Sequence, residues 1–216
     1  MVDEPCDCCG IDPESGRNRG PSPGTNEGHW IDDAPITEAT LPADVRAAME
    51  RFLDGGPIET LGDVVSTIRR RAGGGPLDVA DLCHADGPTG HRGTVDGRTY
   101  HFECFFDAIV LAERVESPVD VRTESPGGAV VEVRATGTGD LAATPADAAL
   151  SFGVAADPDS FSSGDWTFEE AYAAFCPYVR AFPDRAAYEA WAPTVPAATV
   201  GAPLSDAIPL AARFAE

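Results

Sequence analysis

The sequence predicts an α+β fold: an N-terminal three-helix unit of helix-turn-helix or winged-helix character, then a mixed, largely antiparallel β-sheet domain with flanking helices. Apolar residues recur at helical spacing through residues 41–68, then alternate at period two in several short runs after residue 90. Clusters of Gly and Pro separate these segments. A chain of 216 residues, 43% hydrophobic and 24% charged, suffices for one full-sized domain with an appendage.

Residues 1–34 are rich in Gly, Pro, Ser, Asn and acids and poor in aliphatics, so they read as a flexible acidic tail that carries Cys6, Cys8 and Cys9. Residues 35–90 read as the helical unit. Leu41, Val45, Ala48, Met49, Phe52 and Leu53 form one helix face that Gly55-Gly56 stops. Ile58, Leu61, Val64, Val65 and Ile68 form a second face, which runs through Arg69, Arg70 and Arg71 to the glycines at 73–75. A shorter third helix is expected over Pro76–Cys83.

Residues 91–216 read as the sheet domain. Val95-Asp96-Gly97-Arg98 is a hairpin signal, either the wing of the helical unit or the opening of the sheet. Thr99–Glu103 alternates as a strand, and Phe105–Ala112 reads as a buried helix. Val119–Arg122 and Ala129–Arg134 pair as a hairpin around Pro126-Gly127-Gly128. Residues 138–166 fix no assignment beyond a strand at Ala148–Val154. Thr167 and Glu170 make a capping box for a helix bearing Phe168, Tyr172 and Phe175, which Pro177 stops. A strand at Tyr178–Phe182, a helix capped by Asp184 and ending at Trp191, and a last helix over Ala202–Phe214 complete the chain.

The 36 acidic residues face 15 basic ones, all Arg with no Lys, for a formal charge of −21. Seven arginines and 17 acids lie up to Gly90, eight and 19 after it, so both halves are strongly negative. Such self-repulsion suits a salt-rich, halophilic cytosol, because the Debye length falls to ~3 Å at 1 M salt. It argues against nucleic acid as a partner, and Arg69–Arg71 is more simply a helix C-terminus complementing its dipole. No run approaches the ~18 apolar residues of a membrane span, and no apolar run follows a basic start, so the chain reads as cytoplasmic with no membrane partner.

In a reducing compartment the cysteines are thiols for metal or catalysis, or small buried hydrophobes, rather than a disulfide framework. Cys104 falls where a strand yields to a helix, and Asp107 follows on the same face of the first turn. Helix N–H groups there lower a cysteine pKa, so Cys104 is expected to be a reactive thiolate; plain core packing among Phe102, Phe105 and Phe106 is the alternative. Cys176 ends a helix, whose dipole opposes a thiolate. Two thiols and a carboxyl in an apolar setting suit a soft, thiophilic metal better than a hard one. His29, His84 and His91 read as surface residues, and His101 lies on the wrong strand phase for a Cys/His pair.

Gly97-Arg98-Thr99-Tyr100-His101-Phe102-Glu103-Cys104-Phe105-Phe106-Asp107-Ala108, Val115-Glu116-Ser117-Pro118, Ala174-Phe175-Cys176 and then Tyr188 and Trp191 resemble, in order and spacing, the alkylmercury (organomercurial) lyase family. The likeness covers about Gly93–Pro203, and the preceding helices resemble the family's N-terminal helical domain less specifically. It implies protonolysis of a carbon–mercury bond, with the family's two cysteines and aspartate falling on Cys104, Cys176 and Asp107, and with Cys104 and Cys176 holding the mercury. It implies no resident cofactor, since mercury enters as substrate and leaves as product. The partners implied are an organomercurial and, downstream, small thiols or a mercury-accepting reductase. The phenylalanines around Cys104 are expected to line a pocket for the organic group. Two departures stand out: Val119 occupies a place where family members often carry another cysteine, and Pro177 follows Cys176. The tail motif Cys6-Asp7-Cys8-Cys9 lies outside the likeness and is either a second soft-metal chelator, a zinc site with His29, or incidental. The rival to an enzyme is a thiol-based metal-binding protein or metal-responsive regulator without catalysis, for which Asp107 would have no use.

Overall fold

A computed structural model describes residues 28–54, 56–71, 74–75, 77–156 and 168–216. The tail cysteines Cys6, Cys8 and Cys9 and the capping residue Thr167 lie outside the described residues.

Amphipathic periodicity dictates the first helices. In α1 (Ala43–Leu53), Val45, Ala48, Met49, Phe52 and Leu53 are buried, and Asp54 ends the helix at φ 42°, its N–H bonded to the Glu50 carbonyl. In α2 (Leu61–Arg71), Leu61, Val64, Val65 and Ile68 face inward, and Asp63 accepts from the N–H and hydroxyl of Thr60 at the N-terminus. The expected third α-helix is instead one 3₁₀ turn, Val79–Asp81, none of it buried. No apolar face there rewards a longer helix.

Asp96 (φ 50°) and Gly97 (φ 78°) turn β2 (His91–Val95) into β3 (Arg98–Phe102), so this hairpin opens the sheet. β4 (Val119–Glu124), β5 (Val130–Ala135) and β6 (Leu141–Thr144) complete a five-stranded antiparallel sheet ordered β3-β2-β4-β5-β6. Between β3 and β4 runs α3 (Phe106–Val115), whose residues 106–112 are all buried. It comes close to β2 at Gly93, where a Cβ would stand 3.1 Å from Val119 and 3.3 Å from Ala108.

The second sheet is ordered β1-β9-β7-β8 and is mixed: β1 (His29–Trp30) pairs parallel with β9 (Ala197–Pro203), while β7 (Ala149–Ala155) runs antiparallel to β9 and to β8 (Ala181–Phe182). β1 falls inside the segment read as a tail. Residues 197–203, partly read as the start of the last helix, are a central strand; its small side chains let the Tyr188 ring lie directly on Gly201. The last helix, α6, begins only at Ala207 and runs to Ala215. The strand expected over Tyr178–Phe182 is a 3₁₀ turn at Cys176–Tyr178 followed by β8, because Pro177 both fixes φ and lacks a ladder donor. α4 (Phe168–Phe175) and α5 (Arg185–Trp191), the latter capped by Asp184 accepting from Ala187 N–H at 2.7 Å, flank this sheet. One apolar core runs through α1, α2, α3, α6 and both sheets. Its ring contacts join elements far apart in sequence, as where Phe52 of α1 meets Phe175 of α4 edge-on at 5.3 Å.

Candidate active site

The site lies where β3 gives way to α3. Cys104 sits just ahead of the helix, and Asp107 in its first turn; Sγ of Cys104 donates to Oδ2 of Asp107 at 3.3 Å. Both are buried, at 3% and 7% exposure. The 3₁₀ turn after α4 brings in Cys176, whose thiol hydrogen-bonds to those of Cys104 and Cys83. All three residues marked out by the sequence therefore converge.

Sequence reasoning missed Cys83. Its carbonyl accepts from Glu103 N–H at 3.1 Å, Ala85 N–H donates to the His101 carbonyl at 2.9 Å, and His84 bridges to Phe102. This short strap pairs residues 83–85 against the end of β3. One ligand atom from each of Cys83, Asp107 and Cys176 lies within 4.8 Å of the others. Only the strap's non-local pairing places Cys83, and no local periodicity announces it.

The electrostatics correct one expectation. The Cys176 thiol and the N–H groups of Phe106 and Asp107 do bond toward the Cys104 sulfur in the sense that favours a thiolate. Complete burial and the adjacent Asp107 carboxylate nevertheless hold its pKa above the ordinary thiol value. Cys104 is thus a protonated thiol at rest. The Cys176 pKa is raised as well, because its thiol is hydrogen-bonded to those of Cys104 and Cys83 and is then penalised by burial. Burial lifts Asp107 from 3.8 to about 6, despite the Cys104 thiol and Cys83 N–H that bond to it.

Two cavities meet at Cys176. An inner one of about 50 Å³ is lined by Cys104, Asp107 and Cys176 together with Phe106, Phe152 and Phe175. An outer chamber of about 670 Å³ is bordered by Cys83, Cys176, His84, Glu103 and Arg180. Of the phenylalanines expected at the pocket, only Phe106 lines it; Phe102 and Phe105 are fully buried core. The Tyr172 hydroxyl donates to the Asp81 carbonyl, and its ring stands between the cavities.

His91 is buried rather than on the surface. Its Nε2 accepts from Arg180 at 2.7 Å, its Nδ1 donates to Thr123 at 2.6 Å, and burial with the Arg180 charge lowers its pKa to about 4. Neutral His91 thus fixes Arg180 at the outer chamber. His84 is exposed, its ring stacked on Phe102 at 5.1 Å, and His29 is half-buried.

Three thiols and a carboxyl gathered in one buried cluster are a donor set that suits a soft, thiophilic cation better than a hard one. The family model for alkylmercury lyases (MerB) matches residues 85–216, and the chain belongs to the alkylmercury lyase family. Membership makes it an organomercurial lyase by class. Among the ten chains of solved structures that match is the crystal structure of the mercury-bound form of MerB2, 17% identical, with a TM-score of 0.46 over 82% of this chain and 93% of that one. No curated protein matches. Among the described residues no helix is long and apolar enough to cross a membrane.

Proposed function

We propose that the chain cleaves R–Hg⁺ by protonolysis at Cys104, Asp107 and Cys176. The single observation that carries this reading is the 3.3 Å contact between the Cys104 thiol and the Asp107 carboxylate, with Cys176 bonded to the same sulfur. Asp107 takes the Cys104 proton as sulfur bonds to mercury. Cys176 then adds the second sulfur, losing its own proton to solvent. Electron density moves onto the carbon, the Hg–C bond breaks, and Asp107 delivers its proton to that carbon. Two thiols and R–Hg⁺ become R–H, Hg²⁺ held by two thiolates, and one released proton.

A carboxyl with a pKa of about 6 suits this work, since near neutral pH it both accepts and returns a proton. The phenylalanines of the inner cavity would hold the organic group and keep water from the developing carbanion. No resident cofactor enters this scheme, because the substrate brings the metal. The charge of −21 favours work in concentrated salt, and small thiols or a mercury-accepting reductase would take the product.

The test is to incubate the protein with phenylmercury and excess small thiol in high salt and measure benzene. Cys104→Ser, Cys176→Ser and Asp107→Ala should each abolish its formation. Benzene at the parent's rate in all three would overturn the mechanism.

A further inference from the structure

Cleavage as proposed leaves Cys83 unused, although it stands in the same cluster. With one ligand atom each, Cys83, Asp107 and Cys176 already satisfy the spacing of a metal site, within 4.8 Å of one another. The cavities divide the thiols: Cys104 lines the inner one, Cys83 the outer one, and Cys176 both. Cys83 is 9% exposed, its carbonyl accepts from Glu103 N–H and its thiol is hydrogen-bonded to that of Cys176, so its sulfur is held at the cluster. Its N–H bonds to the same Asp107 carboxylate that bonds to the Cys104 thiol, which puts one proton carrier between the two sulfurs.

We propose that Cys83 is the exit thiol, onto which Hg²⁺ passes from Cys104 so that a Cys83–Cys176 pair presents the ion to an external thiol in the outer chamber. The inference rests on the cleavage reading for the origin of the ion. The step is an exchange without redox change. The Cys83 proton moves to Asp107 and the Cys83 sulfur bonds to mercury already held by two sulfurs, so the ion rests on three; as an external thiol approaches, the Cys104–Hg bond breaks and Cys104 recovers the proton from Asp107. One S–Hg bond forms, one breaks, and one proton is relocated. An external thiol repeats the exchange from the open side. The preference of Hg²⁺ for sulfur over oxygen and nitrogen ligands makes thiols the stepping stones.

The experiment uses the full chain carrying Cys6→Ser, Cys8→Ser and Cys9→Ser, so that only Cys83, Cys104 and Cys176 remain, with one equivalent of mercuric ion added directly. X-ray absorption at the mercury edge counts the sulfurs, and mixing with a small dithiol times the transfer. The expected result is three sulfurs in this parent, two after Cys83→Ser, and transfer slowed by at least about tenfold, as loss of a pre-positioned nucleophile implies. Transfer within about twofold of the parent overturns the proposal. A slowing that leaves the sulfur count unchanged overturns it too, because the defect is then one of structure. Should Cys83→Ser or Cys83→Ala fail to fold, the parent decides: three sulfurs support the exit thiol and two overturn it. Since the ion is added directly, failure here leaves benzene formation untouched, and failure of benzene formation leaves this result untouched.

Discussion

Replacing Asp107 with Asn should stabilise the protein while removing the proton carrier of the proposed reaction. The carboxyl is 7% exposed, and burial raises it from 3.8 to about 6. Its pKa is therefore higher folded than unfolded. Between these values the unfolded chain is ionised while the folded one holds the proton, so stability falls as pH rises through that window. Above it both states are ionised, and folding bears the whole penalty of the buried charge. At about 1.36 kcal/mol per pH unit the displacement amounts to about 3 kcal/mol. Asn keeps the shape and an oxygen to accept the Cys83 N–H, but carries no charge. Guanidinium denaturation of both proteins in high salt should show Asp107→Asn more stable by about 3 kcal/mol at pH 8 and by only about 0.5 kcal/mol at pH 4. Comparing the two proteins at each pH cancels every other titration. A variant no more stable than its parent at pH 8 would refute the reasoning, whatever happens to its activity.

Gly201→Ala should lower stability by about 1–3 kcal/mol, since its Cβ would enter the Tyr188 ring that ties β1 to β9 through the His29 carbonyl; an unchanged melting temperature would contradict this packing. Raising salt from about 0.1 to 2 M shortens the screening length from ~10 Å to under ~3 Å. With a charge of −21, the melting temperature should rise by at least about 5 °C, on the order of 2 kcal/mol, and a flat profile in thermal melts would sink the self-repulsion argument. His91 should remain neutral down to about pH 4 and, once Arg180→Ala removes the adjacent cation, titrate at higher pH; an NMR midpoint near 6.5 in the parent would disprove the buried His91–Arg180 contact.

Where one face of an element is buried and the other wet, its period shows in the sequence. This holds for α1, α2 and the β4–β5 hairpin, whose residues alternate between buried and exposed. β7, expected as a strand at Ala148–Val154, shows as a continuous run buried at six successive positions, whereas β9 is built of Ala, Thr, Val, Gly and Pro and has no alternation to mark it. Their identity as neighbours depends on helices packed over them. The site divides in the same way. Cys104 and Asp107 form a local pair that one helical turn explains, and Cys176, a candidate soft-metal thiol by its residue type, was joined to that pair in the reaction only through the family likeness. Cys83 was invisible because its place depends on a strap folding back onto β3. The resting thiolate was misjudged for a related reason: local N–H donors are legible, but the burial that outweighs them is a property of the whole fold.

That burial bears on how the cluster waits for its substrate. Several ionised acids and thiolates could not share so dry a space, and keeping protons on Cys104 and Cys176 holds the resting charge low. On the proposed reading, R–Hg⁺ supplies the missing positive charge. A soft cation replaces thiol protons one for one, so the sulfurs become anionic only as mercury arrives to neutralise them. The same burial that depresses nucleophilicity at rest thereby discriminates against hard cations, which gain little from sulfur and would have to give up their water to enter a cavity walled by Phe106, Phe152 and Phe175. Selectivity and proton supply then have one origin: the protons displaced by mercury are those that the reaction consumes or releases, and Asp107 is the group placed to move them.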